Sequence, residues 1–131
     1  MEAGAFGGRG LCLLELGRRE EAAEALRLVG ARIEDRADWF QGRELIELLA
    51  IRVALGEGRI GDAVARYEQS VTAAEGLDLY TAAWLTAECA PLLRPHAPDV
   101  VARGVAHYAA RVGPLGYGVM TSRYAELAAA S

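Results

Sequence analysis

LGRREEAAEAL, residues 16–26, is followed 41 positions later by EGRIGDAVARY, residues 57–67. Superposing them pairs Gly17 with Gly58, Ala22 with Ala63, Ala23 with Val64 and Leu26 with Tyr67. A glycine, a small residue five positions on and a large one a helical turn later make a joint between helices. Two helices approach to about 8 Å only where one side chain is Ala or Gly, and the large residue then fills the adjoining gap. A further 41 positions reach Asp99, Gly104, Val105 and Tyr108, and Asp38-Trp39-Phe40 is echoed by Asp78-Leu79-Tyr80. The spacing therefore predicts helical hairpins restated along the chain, each stacking its apolar face on the next.

Apolar residues recur at helical steps through most of the sequence, with little strand-like alternation. From Glu20, Ala22, Ala23, Leu26, Val29, Gly30 and Ile33 form one stripe, with Glu24, Arg27, Glu34 and Asp35 largely opposite. A break near Ala37 and Asp38 follows, with Asp38 as N-cap of a helix carrying Leu45, Leu48, Leu49, Arg52 and Leu55. That helix stops at the Gly-Glu-Gly of residues 56–58, and another is expected over 61–75, ended by a left-handed Gly76. Asp78 caps the next, expected over 79–90. All four prolines, Pro91, Pro95, Pro98 and Pro114, lie in the last third, which predicts less regular structure there. Pro98 suits the first turn of a helix running to about Val112, and a short helix over about 121–130 follows the Gly-rich 113–118.

These residues resemble the tetratricopeptide repeat family. Phe6, Gly10, Leu13, Gly17, Ala22, Leu26 and Val29 match its spacing of large and small residues in the first hairpin; Ile51, Ala54, Gly58, Ala63 and Tyr67 match in the second. Glu47 stands where that pattern has a bulky aromatic and Ser70 where it has Ala, and the third unit keeps Gly104 and Tyr108. The resemblance implies an all-α fold of antiparallel hairpins stacked as a short right-handed solenoid. It sets one domain with units at about 2–36, 38–75 and 78–112 and a C-terminal helix at about 119–130. An ordinary helix bundle with Ala at its crossings gives similar spacings; the shared register of two hairpins is what favours repeats. Long Ala- and Arg-rich units of this kind are similar to the repeat regions of actinobacterial LuxR- and AfsR-type regulators. The uncapped opening further suggests a piece of a larger protein.

Composition removes several alternatives. All 14 basic residues are Arg, so a phosphate-binding loop ending in Gly-Lys and any Schiff-base lysine are excluded. A net charge of −4 with arginines interleaved among acids argues against direct nucleic-acid binding. No stretch of about 18 uncharged apolar residues occurs, so no membrane span and a cytoplasmic location are expected. Cys12 and Cys89 fall in apolar stretches and read as two buried free thiols, with a disulfide between them as the second reading. His96 and His107 lack metal-ligand spacing and no serine sits in a nucleophile elbow, so no metal, cofactor or enzymatic activity is expected. Asp62 with Arg66 and Asp99 with Arg103 have the spacing of ordinary i,i+4 ion pairs.

The resemblance implies a function of protein recognition: a peptide or domain held in a groove lined by the first helix of each pair. Carried over, that groove takes Leu11, Leu14 and Glu15 from the first unit, Leu45, Leu48, Arg52 and Leu55 from the second, and Trp84 and Glu88 from the third. Arg52 among leucines has the geometry to fork onto a partner carboxylate or onto an acid of its own chain. The alternative function is that of a regulatory segment within a larger transcriptional regulator or signalling ATPase. An exposed apolar end on a terminal unit would favour a homodimer.

Overall fold

The computed structural model describes residues 3–33, 39 and 42–130. The fold is all-α: seven helices and no strand among these residues. They are α1 (Ala3–Glu15), α2 (Arg19–Ile33), α3 (Arg43–Gly56), α4 (Ile60–Glu75), α5 (Leu79–Leu93), α6 (Pro98–Val112) and α7 (Gly118–Ala129). The chain divides into two compact units, Met1–Ala73 and Ala74–Ser131, with the boundary in the last turn of α4.

The two quoted stretches fold in the same way. Gly17 and Gly58 take φ of 75° and 78°, a left-handed conformation that a side chain would strain. Around them Arg18 N–H donates to Leu13 O and Gly17 N–H to Leu14 O; 41 residues on, Arg59 N–H donates to Ala54 O and Gly58 N–H to Leu55 O. This crossed pair of bonds is a Schellman motif, which satisfies carbonyls the helix end would otherwise leave open. It occurs a third time at Gly116 (φ 75°), with Tyr117 N–H on Val112 O and Gly116 N–H on Gly113 O. Gly76 is not among the glycines of positive φ, so α4 ends otherwise, with Leu77 and Asp78 N–H both directed to Ala74 O.

In the N-terminal unit α1 packs on α2 and α3, and α2 on α3. Ala22 and Ala63 are both fully buried, three residues into α2 and α4. A close approach also joins α1 to α3, at two glycines of α1. A Cβ on Gly7 would stand 2.8 Å from Ile46 N and 2.9 Å from the Leu45 carbonyl carbon. One on Gly10 would stand 2.3 Å from Leu49 Cδ2. Ala22, Leu49 and Val53 form a core cluster there, with Leu11, Leu13, Leu14, Ala23 and Leu26 packed against it. The Phe6 side chain and the Asp38 cap lie outside the described residues; Gly42, in a left-handed conformation, precedes α3.

In the C-terminal unit α5 packs on α6 and α7, and α6 on α7, the same pairwise contacts as among α1, α2 and α3. Asp78 caps α5 as expected, accepting from Tyr80 N–H (3.1 Å) and from the Thr81 hydroxyl (2.8 Å). Pro98 opens α6. The expected end of α5 at residue 90 is corrected: the helix continues through Pro91 to Leu93. A proline this near the C-terminal end removes one intrahelical bond but stands exposed, away from the packed face. The third hairpin also departs from the 41-residue register. Counted from the start of its helix, Val101 rather than Gly104 takes the place of Ala22 and Ala63; Val101 is buried and Gly104 only half-buried. The turn before it, 94–97, contains no glycine and closes with His96 and Ala97 N–H both on Leu93 O.

Candidate functional site

The end of α1, the start of α2 and the last turn of α3 enclose a cleft of about 460 Å³. Leu14, Ala23 and Val53 form its apolar floor, and Arg19, Glu20, Arg52 and Glu57, with the exposed Gly56, its rim. Arg52, three-quarters buried, donates through Nη1 to Glu15 Oε1 at 2.7 Å, tying α3 to α1. Of the two partners foreseen for Arg52, the acid of its own chain is therefore the one it meets. Glu15 is largely exposed, so the pair sits in water on one side, where an ion pair holds geometry more than it adds stability.

The other expected groove residues are distributed unevenly. Leu11, Leu45 and Leu55 are half-buried, and Leu11 and Leu14 lean on the core cluster. Leu48 is only 5% exposed, so it belongs to the core and presents no surface to a ligand. In the C-terminal unit Trp84 is half-buried, and Glu88 accepts from Arg123 Nη1 of α7 at 2.7 Å. Each unit thus has a Glu of its first helix joined to an Arg of its third.

A second charged cluster lies between α3 and α4, where Glu47 is 3% exposed. Its Oε1 accepts from Arg66 Nε (2.6 Å) and the Ser70 hydroxyl (2.7 Å), and its Oε2 from Arg66 Nη2 (3.2 Å) and Arg43 Nε (3.4 Å). Burial alone would push the Glu47 carboxyl up; the Arg66 hydrogen bonds and charge, with Ser70 and Arg43, outweigh it and hold the group below its ordinary value. The expected Asp62–Arg66 pair is corrected by the same contacts: Arg66 turns to Glu47, and Asp62 pairs with Arg59 at 3.2 Å. A buried carboxylate demands a cation, which an exposed Asp does not. The sequence carried a signal for this cluster: Glu47 and Ser70 are the two departures from the repeat pattern, and they bond each other.

Cys12 is exposed, which corrects the expectation of two buried thiols; Cys89 is buried, and both are free. Burial, reinforced by the neighbouring Glu88 charge, pushes the Cys89 thiol up to about 12. His107 meets Glu75 through Nε2 at 2.8 Å. Among the described residues no group of three or more His, Cys, Asp or Glu could hold a metal ion, and no helix is long and apolar enough to cross a membrane. Tyr80 and Tyr117 meet edge to face at 5.3 Å, with Leu77, Leu115 and Val119 exposed on the adjoining turns.

Comparison with protein-family models, with curated proteins and with solved structures returns no match.

Proposed function

We propose that the chain is a protein-recognition module built from tetratricopeptide-like helical hairpins, and that the Leu14–Arg52 cleft of the N-terminal unit receives part of a protein partner. The observation that carries this reading is the cleft itself: an apolar floor with two arginines and two glutamates at its rim. Such a mixture suits a short peptide, whose side chain fills the floor while its backbone and charges meet the rim. The recurrence of one turn motif at Gly17 and Gly58 supports the repeat reading.

The test is selection of peptides from a random display library on the purified chain, followed by titration against Leu14→Asp and Arg52→Glu variants. Selected peptides sharing a consensus should bind either variant about tenfold more weakly, as expected when an anchoring contact is lost. Equal binding by all three proteins, with circular dichroism unchanged, would remove the cleft from the reading.

A further inference from the structure

Leu16, in the turn between α1 and α2, is 69% exposed. It stands two residues after Leu14 of the cleft floor and three before Arg19 of the rim. A single exposed leucine is ordinary, but one beside an apolar recess is a knob next to a hole. The charges around the recess fall into two sets. Arg52 is held by Glu15, Glu57 by Arg59, and Arg18 by Glu21. Arg19 and Glu20, both exposed, have no ion-pair partner among the described residues. Every residue lining the cleft is described, and its two arginines balance its two glutamates.

A neutral patch with a knob, a hole and one unpaired charge of each sign is complementary to itself. A two-fold axis makes each contact twice with the residues exchanged, and that requires such a patch. Arg19 and Glu20 lie midway along the chain between Leu16 and Ala23 of the cleft floor. An axis at their position carries Leu16 of each copy towards the floor of the other, and sets Arg19 of each against Glu20 of the other. A wholly acidic partner would be repelled by Glu20 and a wholly basic one by Arg19, whereas a second copy answers both. At about 460 Å³ the cleft has room for a leucine side chain. We propose that the occupant of this cleft is a second copy of the chain, which inserts Leu16 in a symmetric homodimer. The inference rests on the cleft being a recognition site and names its partner. A contact limited to one turn and one cleft is small, so the dimer belongs to the weak, transient class.

The test is sedimentation equilibrium of the full chain over a concentration series reaching about 1 mM, where weak interfaces still associate. Wild type should pass from monomer to dimer and go no further, because a two-fold contact closes on itself. Leu16→Asp, at an exposed position, should weaken the dimer at least about tenfold. Arg19→Glu and Glu20→Arg should each weaken it about tenfold, since each brings like charges together twice. Mixed one to one, those two variants should associate nearly as tightly as wild type, because the exchange restores both pairs. Fold loss cannot produce that rescue. A monomer at every concentration, or a dimer indifferent to Leu16→Asp and to the charge exchange, would overturn the proposal. If peptides selected from the library still bind the cleft of that monomer, the recognition reading survives and its assigned occupant does not; loss of both removes both.

Discussion

Each unit holds three helices that contact one another pairwise, α1–α3 in one and α5–α7 in the other, and builds those contacts from different materials. In the N-terminal unit the first and third helices meet where glycines of α1 lie against Leu45, Ile46 and Leu49 of α3. In the C-terminal unit the corresponding meeting sets a small residue against an aromatic one: the buried Tyr124 hydroxyl of α7 donates to Ala83 O of α5 at 2.6 Å. Tyr124 also lies 6.5 Å, ring centre to ring centre, from Tyr108 of α6. One joint is closed by removing side chains, the other by filling the space with rings. The N-terminal unit further carries a buried charge cluster at Glu47, where the C-terminal unit buries Cys89, a neutral thiol. The arrangement therefore constrains which positions must be small and which large, and leaves the chemistry of the filling open.

The sharpest way to break this contrast is at Gly7. Gly7→Val places a side chain on the backbone of α3, which has no rotamer to yield, and should cost about 3 kcal/mol in urea denaturation. Gly10→Ala should cost less, because its obstacle is the Leu49 side chain and alanine regains about 1 kcal/mol of helix propensity. Equal stability of Gly7→Val and wild type would show that α1 does not sit so close to α3.

Next comes the charge cluster. Glu47→Ala strips Ser70 and two arginines of their shared acceptor and should cost about 3 kcal/mol, the lower end for a broken buried pair because Arg66 reaches water. Glu47→Leu with Ser70→Ala, which restores apolar contact, should recover most of that loss. The pH dependence separates the units by sign. Glu47 is held below its ordinary value of 4.5, so its contribution is present above that pH and lost as pH falls through its folded value. Cys89 is raised from 9.0 to about 12, so the folded state keeps its full advantage below pH 9 and loses it as pH rises towards 12. Hydrogen exchange should accordingly report α3 and α4 weakening in acid, and α5 weakening in alkali.

Smaller effects sharpen the comparison. Tyr124→Phe removes a buried hydroxyl with one identified acceptor and should cost about 1 kcal/mol, measured by thermal unfolding. The two inter-helix ion pairs should matter least: Arg52→Ala and Arg123→Ala should each cost about 0.5 kcal/mol, a loss reduced further by added salt. A much larger loss at Arg52 alone would mean that Glu15 and Arg52 are not the modest surface tie their exposure indicates.

Much of the fold was legible because its signals are local. Gly17 and Gly58 announce turns, Asp78 a cap, Pro98 a helix start, and the stripe of α2 its buried face, whereas the left-handed end expected at Gly76 is not there; each correct reading depends on neighbours a turn away. Departures arose where a residue's meaning depends on what packs against it. Pro91 looked like a helix end because proline is costly inside a helix, but it stands on an exposed side of α5 near its close. Leu48 and Cys12 exchanged their expected places: a leucine on the supposed groove face is buried, and a thiol in an apolar run is exposed. Neither outcome is written in helical periodicity alone, because stripes from neighbouring helices overlap.

The candidate sites follow the same division. Glu47 and Ser70 stood out in the sequence as misfits to a repeating pattern, and Arg52 as a charge among leucines. Their roles were decided in three dimensions: Arg66 lies 19 residues from Glu47, and Arg52 lies 37 from Glu15. Helical character, turn positions and the small–large rhythm are properties of short segments, fixed by backbone sterics and the spacing of apolar side chains. Ion-pair choice, the depth of a leucine and the opening of a cleft depend on which helices meet and how closely. Glycines of α1 set that distance through atoms of α3 more than thirty residues away.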